Sequence, residues 1–151
     1  MSRISPLRAF RAMAPAERRL LVHALIVVPL AVAGLRTIGM RRTQSILRRL
    51  PSAGLWGGRI EPPRVARIVE IASRRGIIRA KCLPLSLTLQ SLLAGSGVST
   101  ELRLGVRKFG DRLEAHAWVE HDGMPLLEAA GAHDRFTAFT RAIGVKRAAR
   151  S

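Results

Sequence analysis

The apolar positions change their period partway along the chain. Between Ala16 and Leu35, the residues Leu20, Leu21, Ala24, Leu25 and Val28 recur at helical spacing, as one face of a helix requires. Pro15 suits the start of that helix, and Pro29 predicts a kink within it. A second, shorter helical pattern carries Arg41, Arg42, Arg48 and Arg49. Residues 51–63 include Pro51, Gly54, Gly57, Gly58, Pro62 and Pro63 and read as a linker between two subregions. Val65, Ile68, Val69 and Ala72 then predict a helix from Pro63 to Arg75, ending at Gly76. Leu85, Leu89, Leu92 and Leu93 predict a buried helix over Pro84 to Ala94, with Cys82 at its front and Gly95 and Gly97 behind it.

Beyond Gly97 the period falls to two. Leu102, Leu104 and Val106 alternate with Glu101, Arg103 and Arg107, the pattern of a half-buried strand. A turn at Phe109-Gly110-Asp111-Arg112 leads to a second strand, Leu113 to Glu120. Asp122-Gly123 marks another turn before a third strand, Met124 to Glu128. The expected fold is therefore α+β, with helices first and an antiparallel meander after the Cys-bearing helix. A helical extension over residues 1–60 would precede a second domain over 61–151.

With 48% hydrophobic residues in 151, the chain can build one core. Aromatics make up 4% and Tyr is absent, so Leu, Ile, Val and Ala must fill it, and binding by aromatic stacking is disfavoured. The net charge is +16, and residues 1–50 hold ten Arg against the single acid Glu17. Such a surface attracts nucleic acid, anionic lipid or an acidic protein, and charge alone does not choose among them. The apolar run Leu20 to Leu35 spans sixteen residues and includes His23, short of the roughly 20 a membrane span needs. A helix buried against the domain or a partner, an interfacial helix and a span are the three readings, and no stable span is expected. Glu17, Arg18 and Arg19 interrupt the N-terminal basic and apolar stretches, so no cleaved signal is read.

One cysteine excludes an internal disulfide and a cysteine-rich zinc site, and no metal or cofactor motif is present. Cys82 is then either core filler or reactive. A helix N-terminus favours a thiolate through its dipole and unpaired backbone N–H groups, and the same groups can hold an oxyanion. In the second strand, Leu113, Ala115, Ala117 and Val119 share one face, leaving His116 and Trp118 on the other with Glu114 and Glu120. If the Cys82 helix packs across that other face, His116 can reach the sulfur, take its proton and later protonate a leaving amine. The orienting carboxylate depends on register. A two-residue loop at Asp122-Gly123 sets position 128 opposite 117 and turns Glu128 away from His116. A three-residue loop, His121-Asp122-Gly123, sets 128 opposite 116, where Glu128 can orient the imidazole. The three-residue loop is the expectation. His121 and His133 are weaker candidates for the base.

These residues resemble a known family: Lys81-Cys82-Leu83-Pro84-Leu85-Ser86-Leu87 with Leu89-Gln90, Leu104-Gly105-Val106-Arg107-Lys108, Ala115-His116-Ala117-Trp118-Val119-Glu120 and Asp122-Gly123. Together, over about residues 62–140, they resemble the leader peptidases of lasso peptide biosynthesis, which belong to the microcin-processing, transglutaminase-like cysteine proteases. The resemblance implies a papain- or transglutaminase-like core with its nucleophile at a helix N-terminus packed on an antiparallel sheet. It implies a bacterial cytoplasmic protease that removes the leader from a ribosomally made precursor before an ATP-dependent cyclase closes the macrolactam. By position Cys82 looks like the nucleophile, His116 the base and Glu128 the third member, where the family usually has Asp. Trp118 either lines the substrate pocket or covers the site.

Longer relatives carry a winged-helix leader-recognition domain that residues 1–60 do not resemble. The resemblance therefore implies a stand-alone peptidase served by a separate recognition protein, with the N-terminal helices as docking surface or scaffold. Two other readings use the same residues differently. A basic nucleic-acid-binding protein would account for a pI near 12 but leaves the Cys and His motifs unexplained. A transglutaminase-like acyltransferase would pass the acyl group to an amine by the same thioester chemistry.

Overall fold

The computed structural model describes residues 10–50, 60–78, 80–127, 135–138 and 143–144. Helix α1 spans Pro15–Thr37, longer than its apolar run, and continues through Pro29. Pro15 stands in the first turn, where a missing N–H costs no intrahelical bond. Helix α2 spans Met40–Arg49, α3 Pro62–Arg75 and α4 Cys82–Gly95. The last includes Cys82 in its first turn, two residues before the predicted start.

The three longer helices pack on one another. Helix α1 buries Leu20, Ala24, Val27, Val28, Ala31 and Val32, a single face at i, i+4 and i+7 spacing. Helix α3 turns Val65, Ile68, Val69 and Ala72 inward, as their period predicts. In α4 every residue from Ser86 to Leu93 is buried. One cluster joins Leu20, Val27 and Leu47 to Ile68, Leu89 and Leu93, and continues to Leu102, Val119 and Leu126 of the sheet. Residues on both sides of the expected division at residue 60 thus contribute to one core. Arg64 of α3 donates Nε to Glu17 Oε1 at 2.6 Å, and its guanidinium holds that carboxyl below the ordinary carboxylate range.

Strands β1 (Glu101–Phe109), β2 (Arg112–His121) and β3 (Met124–Leu126) form the predicted meander. Two short strands, β4 (Thr137–Ala138) and β5 (Ile143–Gly144), pair with β1 on its free side. In β1 and β2, Leu102 lies opposite Val119, Leu104 opposite Ala117 and Gly105 opposite His116. One face is thus apolar and meets the helices, while the other carries Arg103, Arg107, Glu114, His116, Trp118 and Glu120.

The β2–β3 register corrects the three-residue loop. His121 pairs with Met124 and Val119 with Leu126, so the loop is Asp122-Gly123 alone. Both residues have positive φ, 50° and 75°, as a two-residue type I′ turn demands. The third strand also ends earlier than expected, because Leu127 at φ 70° leaves the extended conformation. Continued, this register would set position 128 opposite 117 and not 116. Glu128 itself lies outside the described residues, as does His133.

By length and composition α1 can cross a membrane, and 33% of its apolar stretch is buried inside the molecule. Its outward side is apolar as well, with Val22, Leu25, Ile26 and Leu30 exposed. His23 lies near the start of that side, and burial pushes its imidazole below the ordinary histidine range. Between the lowered folded value and the unfolded value near 6.5, the unfolded chain binds more protons, so stability rises with pH there. Thermal unfolding followed by circular dichroism is expected to show the melting temperature falling as pH drops below about 6.5. His23→Gln, which cannot titrate, flattens that part of the curve.

Candidate active site

The front of α4 sets the first functional group. Lys81 is the N-cap in an extended conformation, and no side chain caps the helix. The first turn carries no acid, so its free N–H groups and positive dipole end are left for whatever approaches Cys82. The connection from α3 is tied down by the Ala80 N–H, which donates to Ser73 Oγ at 3.3 Å. Cys82 is half-buried and in the reduced, free form.

One turn further, Ser86 Oγ donates to the backbone carbonyl of Ala117 at 3.1 Å, a fully buried bond. Strand β3 pairs β2 only from Val119 to His121. The Ala117 carbonyl lies just past the end of that pairing and takes a side-chain donor. Residues four apart on a helix have Cβ atoms about 5–6 Å from each other. The Ser86 bond therefore brings the turn that carries Cys82 to the stretch of β2 that carries His116, the residue next to Ala117.

On the polar face of β2, the His116 ring stacks on Phe136, centroids 4.9 Å apart, and on Trp118 at 6.0 Å. Trp118 is only 3% exposed, which leaves little of its ring for a substrate. Its indole N–H donates to Glu120 Oε1 at 2.8 Å, and Glu120 Oε2 accepts from Arg103 Nε at 3.1 Å. Arg107 pairs with Glu114 at 2.6 Å and lies over the Phe136 ring, 4.8 Å from its centroid. The charges around His116 are thus paired with opposite charges.

His121, the weaker candidate, sits on the apolar side of the strand. One of its ring nitrogens lies 3.0 Å from the Ser99 carbonyl, a structural contact. Among the described residues, no group of three or more His, Cys, Asp and Glu is placed to hold a metal. Phe136 and Gly105 are the residues that sequence reasoning did not single out at the site. Phe136 stands in a segment with no periodic signal, and Gly105 was visible only as part of a family motif.

The arrangement is a thiol in the first turn of a helix that packs on the apolar face of an antiparallel sheet, and a histidine on the sheet's other face, one residue from the carbonyl that Ser86 bonds. The sequence profile of the transglutaminase-like superfamily matches residues 24–141. The chain belongs to the transglutaminase-like superfamily, whose members are cysteine-dependent proteases or acyltransferases. The match begins inside α1, so the first two helices fall largely within it. Searches of curated proteins and of solved structures gave no match.

Ser86→Ala removes the buried donor to Ala117 and leaves the chain otherwise unchanged. Urea denaturation is expected to show a loss of about 1–3 kcal/mol, the cost of an unmade buried hydrogen bond.

Proposed function

We propose that this protein is a cysteine peptidase that removes the leader from a ribosomally made lasso peptide precursor. The observation that carries the reading is the Ser86–Ala117 bond, which holds the Cys82 turn against the backbone beside His116. The specific motifs around Cys82 and His116 supply the substrate class, and membership of the superfamily supports the thiol chemistry.

In the proposed reaction His116 takes the Cys82 proton and the sulfur attacks the scissile carbonyl carbon. The oxyanion that forms is met by the free N–H groups of the first turn of α4. His116 gives the proton to the leaving amine nitrogen as the C–N bond breaks, leaving a thioester on Cys82. Water then attacks the thioester, its proton passing to His116, and the leader carboxylate leaves as the thiol is restored. No metal or cofactor takes part. Glu128 is proposed as the group that orients His116.

The proposed partners are the precursor, a separate leader-recognition protein and the ATP-dependent cyclase, acting in the cytoplasm. The exposed apolar side of α1 supports docking of such a partner. At its start a hollow of about 570 Å³ is walled by Phe10, Pro15, Val22 and Ile26, with Arg18 and Arg19 at the same place. That combination suits an acidic segment with an apolar anchor. Nucleic acid and a stable membrane span have no part in this reading.

Incubation of the protein with the precursor encoded beside it, with and without the recognition protein, is expected to give cleavage at a single site by mass spectrometry. Cys82→Ala abolishes it. Equal behaviour of wild type and variant under every condition would end the thiol reading. Release of the acyl group to added lysine in place of water would identify an acyltransferase.

A further inference from the structure

Gly105 lies opposite His116 in the β1–β2 ladder, on the face that carries the imidazole. A Cβ built on it would meet Trp118 Cη2 and Cζ3 at 2.9 Å and Phe136 Cβ at 3.1 Å. The Trp118 ring therefore has its outer edge in the space over the one position in β1 that offers no side chain. It is held there at its far end, since the indole N–H is bonded to Glu120 and Glu120 to Arg103. Arg103 is fixed in turn by a second contact, 3.2 Å to Glu101. His116 stacks on this ring and on Phe136, with interplanar angles of 19° and 30°.

We propose that Gly105, together with the Arg103–Glu120–Trp118 chain, is a positioning device for His116: the bare backbone at 105 admits the indole, and the indole sets the plane of the imidazole. The proposal rests on the reading of Cys82 and His116 as a catalytic pair. An imidazole turns about two side-chain torsions, the second of them broad, and contact with two neighbouring rings restricts both. Ring contact thus restricts direction by packing and not by a bond to either ring nitrogen. Misplacement of a catalytic group by about 1 Å can cost as much as 10²-fold in rate. Trp118 and Gly105 on this account touch no substrate and act through His116.

The test uses Cys82 as its own reporter, because it is the chain's single cysteine. The rate of iodoacetamide alkylation is measured against pH for the full-length protein and its variants, with folding checked by circular dichroism. His116→Ala is expected to shift the profile, since the thiol loses its base. Gly105→Ala is expected to move it most of the way toward the His116→Ala profile, because the new methyl displaces the indole. Trp118→Phe lacks Cη2 and Cζ3, the two atoms struck by that methyl. The double variant Gly105→Ala/Trp118→Phe is therefore expected to match Trp118→Phe alone, a rescue that general destabilisation of the sheet would not produce. Glu120→Gln, which loosens the indole without adding volume, shifts the profile in the same direction and serves if Gly105→Ala does not fold. If His116→Ala leaves the profile unchanged, the catalytic pair fails and the positioning role falls with it. If His116→Ala shifts it while Gly105→Ala and Glu120→Gln do not, the pair stands and the positioning role is overturned.

Discussion

The fold depends on the enclosure of α4. Its residues from Ser86 to Leu93 are buried without interruption, so no side of this helix is available to water, and an all-round apolar helix is stable only when surrounded. Helices α1, α2 and α3 and strand β2 supply the surround. The polar residues within it then fix its rotation and depth. Ser86 bonds to Ala117 of β2, and Gln90 accepts from Gln44 of α2 at 2.7 Å. Each of these groups would cost about 1–3 kcal/mol if buried unmet, so sliding or turning α4 is disfavoured. The first turn emerges from this enclosure, and Cys82 stands there, half-buried.

That enclosure explains why the N-terminal helices read as an extension in the sequence and behave as part of the core. Periodicity identifies a helix and its apolar face but not what the face meets. Leu20, Ala24 and Val27 show the spacing of a packed helix, yet nothing in them says that the neighbour is a helix sixty residues further on. The arginines between residues 1 and 50 and the Gly- and Pro-rich stretch at 51–63 suggest a boundary by composition. The demand of α4 for cover on every side overrides it.

The sheet was legible where side chains alternate and illegible where the backbone decides. Leu102, Leu104 and Val106 against Ala115, Ala117 and Val119 established two paired strands with His116 and Trp118 on the outer face, as observed. The turn after β2 failed because the register was chosen to bring Glu128 to His116. Asp-Gly between two strands favours the two-residue turn on its own conformational grounds, and both residues adopt it. Leu127 in a left-handed conformation ends β3, and leucine gives no warning of that. Strands of two residues, β4 and β5, are too short for any period to show. The clamp on His116 was hidden for a related reason: Gly105 carries no side chain, so its importance lies in what crosses it.

The charge of the molecule bears on what the thiol would do with an acyl group. At +16 the surface draws acidic peptides toward it and repels the ammonium groups of lysine acceptors. At physiological salt, charges more than about 8 Å apart are largely screened, so the effect belongs to encounter more than to the bond-making step. Around His116 the charges pair off, Arg103 with Glu120 and Arg107 with Glu114. The arginines of α2, in contrast, face no acid among the described residues, since the described ion pairs draw on other residues. Attraction is therefore concentrated on the helical side and nearly neutral at the histidine. A substrate held by an acidic segment on the helices and presenting an uncharged stretch to Cys82 fits that distribution. A lysine acceptor would meet the repulsion of the helical arginines on approach, so the charge acts at encounter and leaves the step at the thiol unbiased.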